Sequence, residues 1–272
     1  MFKHDRADTG IVAIIQARTR STRLPGKVLL ELEGESVLSH VIRRVKASKL
    51  ITNVLVATTI KKEDLAIVRV CSDMDTRVFC GSEEDVLDRY YQAARLLDAV
   101  HIVRITADCP LMDPAVIDDI VTLHLREKAD YTSNTSEESY PDGLDVEIFR
   151  FAILKNAWEN ACLSSEREHV TPHIKKQPCI FKTVNLKCAA DFSKKRWTLD
   201  NPEDYEFVKL VYEACYPKNP LFGMKEVLEF LEENPAVEEI NRHIRRNEGY
   251  AKSLEAERTP VRDFLKEGYE KR

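Results

Sequence analysis

The sequence predicts an open α/β fold: a mostly parallel central sheet with helices on both faces. Three observations carry that prediction. Between Ile11 and Lys128, short β-rich apolar runs alternate four times with segments of helical periodicity, the order that parallel βαβ units require. The leading run, Ile-Val-Ala-Ile-Ile-Gln at 11–16, is short and apolar throughout, as a strand buried on both faces should be. Hydrophobic residues make up 43% of the 272, enough to give one large domain, or a domain with an appendage, a real core.

Each element follows from its own signal. After the first strand and a basic loop, Val37, Leu38, Val41, Ile42 and Val45 recur at helical spacing, with Arg43, Arg44 and Lys46 expected outside. The second strand is read at Asn53–Thr58 and its helix at Lys62–Cys71. The third is Thr76–Cys80, followed by a helix marked by Val86, Leu87, Tyr90, Tyr91, Ala94 and Leu97. His101–Thr106 is the fourth strand, and Asp113-Pro114 opens a helix through about Lys128, with Asp as N-cap and Pro in the first turn. The polar stretch Asp130–Tyr140 reads as a loop. Leu144, Val146 and Ile148 alternate with Asp145 and Glu147, which predicts a half-exposed strand with both acids on one face. Helices are expected near Phe151–Ala161 and Ser164–Lys176, a strand within Cys179–Leu186 and a strand stub at Trp197-Thr198-Leu199. Asn201-Pro202-Glu203-Asp204 caps a helix through about Cys215. A boundary near Pro217 separates residues 1–216 from a charged helical extension, 217–272. Within it Ala236–Ala256 reads as one helix, with Val237, Ile240, Ile244 and Tyr250 on one side, and residues from about Thr259 are expected to fray.

Composition narrows the function classes. Lys and Arg number 41 against 46 Asp and Glu, a net charge of −5, which argues against a nucleic-acid partner. No apolar stretch approaches the ~18 residues of a membrane span, and no secretory leader is evident. Seven cysteines without CxxC spacing exclude a disulfide framework or Cys-type zinc finger. A cytoplasmic setting is expected.

The loop after the first strand carries the clearest chemistry. Arg18, Arg20, Arg23 and Lys27 fall within ten residues, with Ser21 and Thr22 among them and no acid. It lies at the strand exit, where open α/β sheets bind ligands. Such a loop is a polyanion cradle suited to a triphosphate, although the GxxxxGK[ST] pattern is absent. Asp108 ends the fourth strand and its turn, where a carboxylate opposite a basic cradle can anchor Mg²⁺ or simply form the turn before Pro110. Asp200 follows the Trp197 stub, and by spacing alone is equally a turn or cap residue. Asp145 and Glu147 either bind a hydroxylated substrate or face water. Arg167 is a candidate clamp for an anionic group. His169 and His173 stand at i, i+4 with Pro172 between them and no HExxH order, so a packed or hydrogen-bonded pair is expected rather than zinc. Cys109 reads as a small apolar filler.

These residues resemble a known family. Ala-Ile-Ile-Gln-Ala-Arg-Thr-Arg-Ser-Thr-Arg-Leu-Pro-Gly-Lys at 13–27 looks like the signature loop of the CMP-sugar synthetases, which include the sialic-acid and 3-deoxy-manno-octulosonate cytidylyltransferases. The chain is most similar to the spore coat polysaccharide biosynthesis protein F group, through stretches that include 81–90, 103–114, 140–149, 165–174, 196–208 and 241–255. The resemblance implies a Rossmann-like GT-A nucleotidyltransferase fold, CTP as donor, Mg²⁺ as cofactor, a small sugar as acceptor and pyrophosphate as leaving group. It places Arg18 and Lys27 on the triphosphate, with Ala17, Ser21 and Arg23 in the same nucleotide loop. It places Asp108 and Asp200 as the metal carboxylates. Sialic-acid members carry a further Asp where this chain has Thr198, so an octulosonate-type metal site is implied. The Arg104–Pro110 stretch also departs from better-known members, which leaves the acceptor sugar open. A homodimer is expected, as in related synthetases. Another nucleotide donor or a sugar-phosphate acceptor would use the same residues. A glycosyltransferase is disfavoured by the lack of a DxD motif at a strand end, and a non-catalytic binding protein by the joint presence of Arg18, Lys27, Asp108 and Asp200.

Overall fold

A computed structural model describes residues 10–258. The first half follows the βα alternation. The elements are β1 (Ile11–Gln16), the short ribbon β2 (Glu31–Leu32) and β3 (Glu35–Ser36), α1 (Val37–Lys46), β4 (Asn53–Thr59), α2 (Leu65–Asp73), β5 (Arg77–Gly81), α3 (Val86–Leu96), β6 (His101–Thr106) and α4 (Pro114–Glu127). The second half holds β7 (Tyr131–Ser133), β8 (Glu147–Arg150), α5 (Phe151–Asn160), α6 (Ser164–His169), α7 (Pro172–Lys175), β9 (Thr183–Asn185), α8 (Pro202–Cys215), α9 (Met224–Glu233), α10 (Pro235–Glu238) and α11 (Glu248–Arg258).

The main sheet has seven strands in the order β5-β4-β1-β6-β8-β7-β9. β1 pairs in parallel with β4 and β6, and β4 with β5; β8 enters antiparallel between β6 and β7. Alternation along β1 divides the core. Ile11, Ala13 and Ile15 face α1, α4 and α8, whereas Val12 and Ile14 face α3 and the Leu154 side of α5. Helices therefore cover both faces, as expected. The C-terminal ends of β1, β4 and β6 share one edge, which is where the basic loop and Asp108 emerge.

Several expectations need correction. Arg44 is not outside: it is 1% exposed. Its guanidinium donates to Met112 O at 3.2 Å, Phe222 O at 2.6 Å and Tyr212 Oη at 3.3 Å, and lies 4.1 Å from the Phe222 ring centroid. A helix-face count cannot foresee this, because the carbonyls that accept it belong to distant segments. Residues 164–175 are two short helices, not one, broken at Val170 with φ of 71°. Trp197-Thr198-Leu199 is no strand; its one bridge near by is Asp142 with Arg196. Tyr131–Ser133, read as loop, is a strand because β8 and β9 flank it. The 236–256 helix is instead α10 and α11 joined by turns at 239–247. The fraying expected from Thr259 lies outside the described residues.

Candidate active site

The basic loop is built around a buried carboxylate. Ala17 N donates to Ala57 O at 3.1 Å and prolongs the β1–β4 ladder by one residue. Thr19 then donates through both N and Oγ1 to Asp64 Oδ1, each at 2.7 Å, while Thr59 Oγ1 holds Oδ2. Asp64 is only 2% exposed. Gly26 N closes the loop onto Thr19 O at 2.9 Å, and Gly26 itself adopts φ of 69°, a left-handed conformation that favours glycine. The single 3₁₀ turn Lys27–Leu29 follows. Asp64 was missed from the sequence because it lies 45 residues from Thr19 and carries no motif.

This loop sends its cations in two directions. Lys27 Nζ reaches Asp108 Oδ2 at 2.5 Å and Asp200 Oδ1 at 2.7 Å. Arg23 lies between Asp200 Oδ2 and Glu248 Oε2, at 3.0 Å from each. Arg18 approaches Glu168 at 3.9 Å, and the exposed Arg20 approaches Glu83 at 3.4 Å. Ser21 Oγ sits 3.5 Å from Leu24 N, inside the loop. The cradle is thus narrower than four convergent cations: Arg23 and Lys27 face the two Asp, and Arg20 does not.

Asp108 and Asp200 meet because residues 198–200 run alongside the β6 turn. Leu199 N donates to Asp108 O at 2.8 Å, and Thr198 Oγ1 lies 3.4 Å from the same oxygen. Asp204, not Asp200, does the capping. Its Oδ2 accepts from Asp200 N at 3.0 Å and Asn201 N at 2.9 Å, and Arg196 grips it with two bonds of 2.8 and 2.9 Å. Asp200 is thereby left free to face the cleft. Burial would raise the Asp108 pKa, but Lys27 outweighs it and holds the carboxyl down to about 2. Burial likewise pulls on Lys27, and the two carboxylates outweigh it and hold its pKa above the usual lysine value. Lys27 and Asp108 therefore both stay charged near neutrality.

Two carboxylates aimed at one point suit a hard divalent cation, and that point already receives a cationic group. Among the described residues no three His, Cys, Asp or Glu side chains converge as a metal cage. A two-carboxylate site that completes its shell with phosphate oxygens and water fits this donor set.

Beside the carboxylates opens a polar cleft of about 390 Å³, lined in part by Arg104, Asp145, Glu147, His169, Lys175 and Tyr250. Glu147 is not half-exposed as expected: it is 3% exposed, at the centre of a charged cluster. It accepts from Arg104 Nη1 at 2.6 Å, Lys175 Nζ at 2.8 Å, Thr171 Oγ1 at 2.8 Å and Tyr131 Oη at 2.5 Å. Burial opposes its charge, but Lys175 and Arg104 outweigh that and hold the carboxyl far below the usual range. Asp145 shares the cleft and pairs with Arg246 Nη2 at 2.6 Å. Burial pushes Asp145 up to about 6, and burial with the nearby Asp145 charge pushes Asp142 up to about 7.

Arg167 is spoken for. Its Nε reaches both Asp85 oxygens, at 3.1 and 3.0 Å, its Nη2 also binds Asp85, and its Nη1 donates to Trp158 O at 2.8 Å. It ties α6 to the start of α3 and to α5, and the cleft lining does not include it. The histidine pair is split by the turn at Val170. His169 Nε2 lies 3.0 Å from Ser253 Oγ, and His173 Nδ1 lies 3.7 Å from Glu166.

The segment after α10 was expected as an appendage, yet it walls this cleft. Arg246 pairs with Asp145, Glu248 with Arg23, and Tyr250 packs edge-on to His169 at 5.0 Å between centroids. Glu257 accepts from Ser165 N at 2.6 Å at the start of α6. Only the tertiary path brings these groups to the loop.

With this geometry in hand, comparison with known proteins is informative. A family profile described as cytidylyltransferase matches residues 12–246. An uncharacterized protein of Methanocaldococcus jannaschii is 39% identical over 237 residues, 86% of this chain and 96% of that one. The spore coat polysaccharide biosynthesis protein SpsF of Bacillus subtilis is 33% identical over 232 residues, 83% of this chain and 95% of its own. Among solved structures, a cytidylyltransferase from Leptospira borgpetersenii superposes with a TM-score of 0.81 at 32% identity, covering 88% of this chain and all of its own.

Proposed function

The chain belongs to the cytidylyltransferase family, and from that premise we propose that it catalyses Mg²⁺-dependent transfer of CMP from CTP to a hydroxyl of an acidic sugar, with release of pyrophosphate, for polysaccharide or glycan assembly. The observation that carries this reading is the meeting of Asp108 and Asp200 on Lys27 at the end of the basic loop.

In this reading Asp108 and Asp200 hold Mg²⁺, which when bound offsets negative charge on the phosphate oxygens. The chain's own side chains supply position and field. Lys27 and Arg23 leave their carboxylate partners for the triphosphate, joined by Arg18 from the opposite rim. The acceptor occupies the 390 Å³ cleft. Arg104 and Lys175, already fixed by Glu147, offer an acidic sugar its counter-charge, and Asp145 is placed to accept from its hydroxyls. The attacking hydroxyl displaces pyrophosphate at the α-phosphorus in line, so little is asked of the protein beyond orientation and charge.

Thermal-shift measurements with CTP, UTP, GTP and ATP, each with and without Mg²⁺, test the donor. A ligand that binds only the folded state raises the Tm by mass action. A CTP-selective shift enlarged by Mg²⁺, followed by pyrophosphate release with an acidic sugar, is expected. A larger shift with another nucleotide overturns the donor assignment.

A further inference from the structure

A second basic cleft lies behind the catalytic carboxylates. The loop before Trp197 and the turns after α10 border an open cleft of about 300 Å³. Lys194, Lys195 and Arg196 line one side and Arg242, Arg245 and Arg246 the other, with Asp142 as the one carboxylate in the lining. In a chain of net charge −5, six cations around one cavity concentrate an anion-attracting field.

Most of these cations have carboxylate partners that do not line the cavity. Lys195 pairs with Glu238 at 2.7 Å, Arg242 with Glu239 at 2.5 Å, and Arg196 with Asp204 at 2.8 Å. Asp142 is shared, at 3.1 Å from Arg196 and 3.8 Å from Arg246. Lys194 and Arg245 are exposed, and among the described residues neither makes an ion pair. The cleft thus has two exposed cations at its mouth, Lys194 with Asp191 near by, and two held guanidinium groups at its back. Its size, about 300 Å³, suits a compact anion rather than a polymer.

We propose that this cleft is a second anion site, which takes a small phosphate-bearing polyanion of the pyrophosphate class. Lys194 and Arg245 capture it, and Arg196 and Arg246 receive it. The site is wired to the first. Arg196 Nη2 lies 3.5 Å from Asp200 Oδ2, and Arg246 holds Asp145. An anion that draws either guanidinium backward changes the field on the carboxylates of the front cleft.

Titration calorimetry with inorganic pyrophosphate, in the absence of divalent metal, tests this on three forms of the full chain: wild type, Lys194→Ala/Arg245→Ala and Lys27→Ala. Two binding events are expected for wild type. The double variant should weaken one of them by about tenfold or more per residue removed and leave the other, and Lys27→Ala should do the reverse. Both sites of the double substitution are exposed, and an unchanged Tm establishes that it folds. A double variant with the wild-type isotherm overturns the proposal, as does a single event abolished by Lys27→Ala. Co-sedimentation with phosphatidic-acid vesicles separates the sources of phosphate. Vesicle binding that depends on Lys194 and Arg245, without pyrophosphate binding, overturns the assignment to a free anion.

Discussion

Lys27 occupies the space between two carboxylates, so its ammonium must be displaced before a divalent cation can be held there. Asp108 and Asp200 are about a quarter exposed, at 24% and 23% of their side chains, and neither supports the core. Asp108→Asn and Asp200→Asn are therefore expected to fold with a near-native Tm while losing Mg²⁺-dependent pyrophosphate release. Mutating mere partners of metal ligands costs ~10–100-fold, so loss of a ligand is expected to cost at least about 100-fold. Turnover within a few-fold of wild type in either variant would remove that Asp from the metal site. Asp204 is the contrasting residue. It is fully buried, and its carboxylate is held by Arg196 and Asn241 Nδ2, so its substitution damages the fold first.

At the scale of elements, the turn at 142–145 decides how the two clefts meet. Gly143 has φ of 112°, and a Cβ there would lie 2.6 Å from both Thr198 N and Trp197 C. Backbone atoms cannot step aside as a side chain can. Gly143→Ala is expected to destabilise by more than about 1 kcal/mol and to lower activity as well, because Asp142 and Asp145 move with it. Urea denaturation and a pyrophosphate assay check this; wild-type values in both would show that the turn has slack. Elements with local signals were legible. β1 and β6 are apolar runs read to the residue, and α4 and α8 start at Asp113-Pro114 and Asn201-Pro202 as their caps dictate. β7 was illegible because Tyr-Thr-Ser is short and becomes a strand only between its neighbours. The break at Val170, by contrast, has its signal in Pro172, which opens α7. The same divide runs through the site. Lys27 and Asp108 sit just past strand ends, where a site is expected, whereas Asp200 stands out only through the family resemblance and is brought to them by the path of residues 198–200. Glu147 read as half-exposed because Arg104, Tyr131 and the Thr171–Lys175 pair, which enclose it, come from three separate stretches.

For the whole molecule, two sets of carboxylates set opposite pH limits. Glu147 and Asp204 are held below the usual range by their cations, against the pull of burial. Folded protein thus binds fewer protons there than unfolded chain does, and their stabilisation is full above about pH 4.5 and is lost as pH falls further. Asp142 and Asp145 are held up, to about 7 and about 6. Here the folded state binds more protons, so their contribution declines as pH rises toward 7. A Tm maximum near about pH 4 to 4.5 is expected, where the two sets balance, and Glu147→Gln should flatten the acid limb while lowering the maximum. An unchanged acid limb in that variant would show that Glu147 is not its source. The tie between Arg23 and Glu248 spans 225 residues of chain. A polypeptide emerges from the ribosome N-terminal end first, so the basic loop is made early and the residue that pairs with its Arg23 is made more than two hundred positions later. A nascent chain therefore carries an unfinished cleft through most of its synthesis, and its last wall is laid only when Glu248 has been added.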